Sequence, residues 1–393
     1  MTIETFIATY GVNRKQTDSL KWDALAERYG DADLLPLWVA DMEFKTPHSV
    51  VAALQERVAH GVFGYSNVPT DYFAAYAGWQ ARHEQTPFQK EWLFFSTGVV
   101  QSLYDLIACF TEVGDAILIQ PPVYYPFFNA IVAQDRKLVT SNLIRQGATY
   151  QMNLTDFEQK IEQEHVKAFI LCSPHNPVGR VWQPAELMAI LEICQRHQVL
   201  VIADEIHSDL VFQPFTSTAS LASATGLENL IVVNAPSKTF NLASLLHSHI
   251  WIPGAKRRGT YEEWAARHRQ TENSSLGQLA AKVAYETGDQ WLENLLQVIQ
   301  QNYEYVKNCL GTALPEIKIG PLEGTYLLWL DLTDLVPANE VKTYVQDQAK
   351  LAVDFGEWFS PETKNFIRLN LATTPNIIQE ACDRLIAEKG ERL

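Results

Sequence analysis

The sequence predicts an α/β fold: a mostly parallel seven-stranded sheet with helices on both faces, followed by a smaller α+β domain. Three observations predict it. Short apolar, β-rich runs alternate with segments of helical period through the middle of the chain. A long amphipathic segment then ends that alternation. Beyond it the pattern changes to a few longer strands and two helices. In chain order the strand candidates are Trp92–Ser96, Ala116–Gln120, Lys137–Leu143, Ala168–Ser173, Leu200–Asp204, Leu230–Asn234 and Ser248–Ile252. Gln101–Thr111 and Pro184–His197 carry helical spacing between them. From Trp291 to Tyr305, the residues Trp291, Leu292, Leu295, Val298, Ile299 and Asn302 fall on one helical stripe. In the tail, Gly324–Leu332 and Asn365–Leu371 read as strands, and Asn339–Gln348 and Asn376–Lys389 as helices.

Composition narrows the function classes. The chain has 393 residues, 47% hydrophobic and 20% charged, with 31 Lys and Arg against 46 Asp and Glu, a net charge of −15. That is globular composition, and a chain of this length buries a large core without disulfides or a structural metal. The acidic balance argues against nucleic-acid binding, which wants a basic surface. The five cysteines, Cys109, Cys172, Cys194, Cys309 and Cys382, are scattered and form no C-x-x-C pair. They point to reduced thiols and a cytoplasmic location, with no metal site. No apolar run reaches membrane-spanning length, and no signal peptide is visible, so neither a membrane nor secretion is expected.

There is no Walker A loop, G-x-G-x-x-G, H-E-x-x-H or G-x-S-x-G. The chemistry-bearing residues gather instead at strand ends, where α/β proteins place ligands. Cys172-Ser-Pro-His-Asn-Pro-Val-Gly179 is a stiff turn after an apolar strand; it suits either a positioned Asn176 or a plain β–α connection. Asp204 follows five apolar residues, so its carboxylate needs a cation or a strong donor; a helix cap or structural ion pair is the alternative. Lys238, between Ser237 and Thr239 after another strand, is a candidate Schiff-base amine, since partial burial lowers a lysine pKa and makes it nucleophilic. Ser96-Thr-Gly-Val-Val100 runs from a strand through a glycine into a helix, whose free N–H groups can hold an anion. The aromatic run Pro121–Phe128 supplies a ring that could stack on a flat ligand or fill the core. Arg368, inside a tail strand, needs a partner: a substrate carboxylate held bidentately, or an internal acid.

In this order, these residues resemble the fold-type I pyridoxal-phosphate (PLP) enzymes of the class I/II aminotransferase superfamily, and within it the MalY/PatB-type group of C–S lyases. The resemblance runs over nearly the whole chain. It is carried by Thr17–Asp23, Leu37-Trp-Val-Ala-Asp-Met-Glu-Phe44, Gln120–Phe128, His175-Asn-Pro-Val-Gly-Arg-Val-Trp182, Asp204-Glu-Ile-His-Ser-Asp-Leu210, Ala235-Pro-Ser-Lys-Thr-Phe-Asn-Leu-Ala243, Glu323–Asp331 and Phe366-Ile-Arg-Leu-Asn370. It implies the PLP-dependent transferase fold. Residues 1–48 would be an N-terminal segment contributing to the small domain, 49–289 the large cofactor domain, and 290–393 the linking helix and C-terminal small domain.

The resemblance also assigns roles. Lys238 would bond pyridoxal 5′-phosphate covalently and move the substrate's Cα proton, with Tyr124 beside it in the catalytic set, stacked on the ring. Asp204 would pair with the ring nitrogen, which answers its need for a partner. Asn176 would serve the ring oxygen and approach the substrate carboxylate, with His207 near the same oxygen. Backbone N–H groups of Val99 and Val100, with Ser237, would hold the phosphate. Tyr65 would reach the phosphate of a neighbouring subunit, giving a homodimer with shared active sites. Arg368 would clamp the carboxylate of an amino-acid substrate, together with the backbone near Ala40. Two positions depart from the family pattern. Ser244 stands where glycine is common, and Leu246 where many aminotransferases carry a phosphate-binding arginine eight residues after the lysine. The implied activity is β-elimination from S-substituted cysteines. The alternatives are a broad-specificity aminotransferase and a regulatory protein on the same scaffold, against which the complete set of Lys238, Asp204, Asn176 and Arg368 argues.

Overall fold

The computed structural model describes residues 1–84, 86, 88–225, 227–270 and 273–392. Strands β1 (Leu93–Ser96), β2 (Ala116–Ile119), β3 (Lys137–Thr140), β4 (Ala168–Cys172), β5 (Leu200–Asp204), β6 (Leu230–Asn234) and β7 (Ser248–Trp251) form one sheet in the order 1-7-6-5-4-2-3. Each lies within one of the seven runs expected from the sequence. Only β7 runs against its neighbours, β1 and β6. The remaining pairs are parallel.

The central strands are buried at every residue, so both faces must be covered. Alternation along each strand then feeds two separate cores. Leu118, Phe169, Leu171, Val201 and Val232 face one of them. Ile117, Ile119, Ile170, Ile202 and Val233 face the other. The helix Pro184–Arg196 on this layer starts with Pro184 in its first turn and a reciprocal cap between Gln183 and Glu186.

The helix Asp289–Ala313 leaves the layer, burying Trp291, Leu292, Leu295, Val298, Ile299 and Asn302 as the spacing requires. Beyond it β8 (Lys318–Ile319), β9 (Leu327–Asp331), β10 (Asp354–Phe355) and β11 (Phe366–Asn370) make an antiparallel sheet in the order 8-9-11-10. The helix Pro375–Arg392 closes the chain. One element differs from expectation. In place of a regular helix over 339–348 there is a 3₁₀ turn, Ala338–Glu340, and a π-helical stretch, Thr343–Gln348. The Ala349 N–H donates to the Tyr344 carbonyl five residues back. That wide turn turns Tyr344, Val345 and Ala349 inward together, and all three are buried.

The N-terminal 44 residues hold a feature that no periodicity revealed. Leu35–Pro36 pairs in parallel with Leu351–Ala352, and residues 37–44 thread onward between the two sheets. Asn370 on β11 donates to the carbonyls of Val39 and Asp41, both at 2.6 Å. Asn241, three residues after Lys238, donates to the carbonyls of Met42 and Phe44 at 3.1 and 2.9 Å. Thr17–Asp23 packs behind this strap. Lys21, fully buried, pairs with Glu43 at 2.8 Å, and the indole N–H of Trp22 donates to the same carboxylate at 3.1 Å.

A buried ion pair is costly to break, because the surviving charge loses its partner without regaining water. Among the described residues, Lys21 would keep only Asp41 as an ion-pair partner, at 3.9 Å. Glu43→Ala should therefore lower the unfolding free energy by about 3 kcal/mol, while Lys21→Met with Glu43→Leu should recover most of that loss. Urea denaturation of the two variants measures both.

Candidate active site

Parallel strands end on one edge of the sheet, and β7, being antiparallel, begins there. The segments at that edge surround a cavity of about 180 Å³. Thr97, Gly98, Val99 and Val100 follow β1, Tyr124 follows β2, and Cys172 and Asn176 end and follow β4. Asp204, Ile206 and His207 come from the end of β5, Ser237 and Lys238 from the turn after β6, and His247 from just before β7. Ala40 of the N-terminal strap and Ala243 complete the lining.

Lys238 sits in a single turn of helix, Pro236–Thr239, started by Pro236. Its Nζ donates to the Ala40 carbonyl at 2.6 Å, and the Tyr326 hydroxyl from β9's entry donates to the same oxygen at 2.8 Å. Removal from water lowers the Lys238 pKa to about 8, with the Arg368 charge adding to the fall and Asp41 and Asp204 opposing it. Asp204 is 4% exposed. Burial pushes its carboxyl up to about 7, against the Ile206 N–H that bonds Oδ1 at 3.1 Å and the attraction of Lys238. His207 is held well below the ordinary imidazole range by burial, and its Nδ1 has no partner.

Arg368 stands beside the cavity, 2% exposed. Its Nη1 donates to Asn176 Oδ1 at 2.8 Å, and its Nη2 to the Trp38 carbonyl at 3.2 Å and to Asp354. Asp354 lies directly across from it, on β10. An internal acid therefore does partner this arginine. Its Nε remains buried without a hydrogen bond, and the Phe359 ring covers the guanidinium at 5.0 Å.

Nine of the eleven residues singled out from the sequence line this one cavity: Ala40, Val99, Val100, Tyr124, Asn176, Asp204, His207, Ser237 and Lys238. Arg368 reaches it through Asn176. Tyr65 does not: it is fully exposed on a segment next to Val62 and Phe63, which are also exposed. Leu246 is 54% exposed, with φ 51°, and lies off the cavity. Sequence reasoning missed Cys172, Ile206, Ala243 and His247 as lining residues, Tyr326 as the second donor to Ala40, and Asp354 as the arginine's acid. Gly179 has a packing role: at φ 73°, a Cβ there would come within 2.8 Å of the Pro321 carbonyl, and its own carbonyl accepts from the N–H groups of Glu323 and Gly324.

The residues present suit a flat, singly anchored, anionic cofactor such as PLP. A part-buried amine of lowered pKa can bond an aldehyde. A buried carboxylate without a full set of donors can take a protonated ring nitrogen, and the unpartnered His207 Nδ1 leaves a polar contact open. Free helix-start N–H groups sit beside Gly98, which has open space where a Cβ would be.

A family model described as aminotransferase class I and II matches residues 32–385. The chain is 34% identical over 376 residues to cystathionine beta-lyase PatB of Bacillus subtilis, covering 95% of this chain and 97% of that one. It is 32% identical over 384 residues to protein MalY of Escherichia coli, covering 96% and 95%. Cystalysin of Treponema denticola, solved with pyridoxal 5′-phosphate, superposes with a TM-score of 0.92 at 32% identity, covering 97% and 98%.

A raised carboxyl pKa has a definite sign in stability. Asp204 contributes most to the ligand-free fold below its unfolded value of 3.8, and that contribution is lost as pH rises through about 7. Asp204→Asn should therefore stabilise the ligand-free protein at pH 8, by on the order of 2–4 kcal/mol, and flatten its stability between pH 4 and pH 7. Thermal or urea unfolding across that range checks it.

Proposed function

The chain belongs to the class I and II aminotransferase family, and from that premise we propose that it is a pyridoxal 5′-phosphate-dependent cysteine-S-conjugate β-lyase. Its substrates would be S-substituted cysteines such as L-cystathionine, split with one water into a thiol, pyruvate and ammonia. The observation that carries this reading is the enclosure of the Lys238 amine and the Asp204 carboxylate in one cavity, with Arg368 beside it. When bound, the cofactor supplies an aldehyde that takes the substrate amine and a cationic ring that draws electrons from Cα.

The chain's own residues do the rest. Asp204 would pair with the ring nitrogen, Tyr124 would stack on the ring, and Asn176 and His207 would serve its oxygen. Val99 and Val100 offer backbone N–H groups, and Ser237 its hydroxyl, to the phosphate. Arg368, fixed by Asp354 and Asn176, would orient the substrate carboxylate, together with the backbone near Ala40. Lys238 Nζ, whose pKa of about 8 keeps an appreciable neutral fraction near neutral pH, takes the Cα proton. Loss of that proton lets the β-thiolate leave.

We also propose a division into 1–48 with the small domain, 49–289 and 290–393, and a cytoplasmic homodimer that binds no nucleic acid. The five free cysteines support a reducing location. Among the described residues no helix is long and apolar enough to cross a membrane. The exposed Val58, Val62, Phe63 and Tyr65 support a surface covered by a second copy, with Tyr65 reaching that copy's phosphate.

Incubating the purified protein with L-cystathionine should release thiol, pyruvate and ammonia together; keto-acid-dependent amino transfer without thiol would make it an aminotransferase instead. Lys238→Ala should lose the borohydride-sensitive visible band and at least about 10²–10⁴-fold in kcat. Arg368→Ala should raise KM roughly 10- to 100-fold. If sites are shared, mixing Lys238→Ala with Tyr65→Ala subunits should restore activity that neither variant shows alone, because each hybrid dimer keeps one intact site. No recovery in subunits shown to exchange would place Tyr65 outside the site.

A further inference from the structure

Lys238 is the single Lys or Arg, and Asp204 the single carboxylate, among the described residues lining the cavity. If Lys238 is committed to an aldehyde, a phosphate dianion in the same cavity has no remaining side-chain cation. His247 is placed to supply one. In the β1–β7 register Ser248 faces Ser96, so His247, one residue earlier, lies beside Thr97-Gly98 at the start of the helix Val99–Phe110. It is 5% exposed and lines the cavity.

A chain of buried hydrogen bonds fixes the proton on this ring. Asn234 Oδ1 accepts from the Tyr76 hydroxyl and from His249 Nδ1, each at 2.9 Å. His249 therefore carries its proton on Nδ1 and accepts at Nε2. The Tyr72 hydroxyl lies 2.6 Å from His249 Nε2 and 2.6 Å from His247 Nε2. Its one proton goes to His249, so its oxygen accepts from His247 Nε2–H. The lone pair of His247 is then on Nδ1. Protonation there adds a donor and a charge without breaking any bond of the chain.

Among the described residues, the other groups packed on His247 are neutral: Tyr72 and His249, the Phe95 ring stacked at 5.3 Å, and Gly277 in the first turn of the helix Ser275–Thr287. Burial holds its pKa down to about 3. The ring is accordingly neutral until an anion arrives.

We propose that His247 is the phosphate's counter-cation in this protein, taking up one proton at Nδ1 when the dianion binds, in a tautomer held ready by Tyr72, His249 and Asn234. The proposal rests on the PLP reading above. It is tested on the full-length cofactor-free protein with three probes: pyridoxal 5′-phosphate, pyridoxal and inorganic phosphate. His247→Ala should weaken pyridoxal 5′-phosphate and inorganic phosphate by about 10- to 100-fold and leave pyridoxal unchanged. Calorimetry in buffers of different ionisation enthalpy should show close to one proton fewer taken up by the variant than by the parent. Tyr72→Phe, which keeps the packing, should weaken phosphate in the same direction, and serves should His247→Ala fail to fold. Unchanged phosphate affinity and proton uptake in both variants would overturn the role of His247 while leaving the PLP reading intact. A parent protein that binds pyridoxal 5′-phosphate no better than pyridoxal would overturn both.

Discussion

The carbonyl oxygen of Ala40 ties the three parts of the molecule together. It accepts from Lys238 of the large sheet's edge and from Tyr326 of the small sheet. The peptide that carries it is clamped on one side by Asn370 and on the other by Asn241. A backbone carbonyl is a strong acceptor with no conformational freedom of its own once its peptide is fixed. It can therefore hold a lysine amine in place without placing a second charge beside it. The buried Lys21–Glu43 pair and the Trp22 indole lie behind the strap and keep it rigid.

That arrangement sets the electrostatics of the cavity. Lys238 and Asp204 are both removed from water, and desolvation moves each toward its neutral form. The ligand-free fold holds two groups poised near neutral pH in a place where neither is fully satisfied. A ligand that offers an aldehyde to one and a protonated nitrogen to the other relieves both. Arg368 is organised differently. It is a permanent cation on a sheet, paired with Asp354 across the strands and bonded to Asn176, so its position is settled before any substrate arrives.

Much of this was legible in the sequence because it is local. The buried central strands of the large sheet are short, nearly continuous apolar runs, and that pattern survives any packing. Asp204 closes such a run, and Asn176 and Lys238 each lie in the turn four residues after one, so their placement at the strand ends followed from chain order alone. The π-helical stretch after Val341 was not legible, since its width is set by Tyr344, Val345 and Ala349 all being drawn inward. His247 was hidden for a related reason. Alone it is one histidine before a strand, and only the β1–β7 register and the Tyr72 hydroxyl give it a position and a tautomer.

By itself, then, the sequence determined the α/β class, the strand ends that carry chemistry, and the need of Asp204 and Arg368 for partners, because burial and backbone propensity act over a few residues. Which partners they take was decided by the tertiary structure. Asp354 meets Arg368 through sheet register, and Ala40 meets Lys238 across nearly 200 positions of chain. Hydrogen bonds between segments that far apart leave no periodic trace in the sequence; they exist only once two sheets and a strap have packed together.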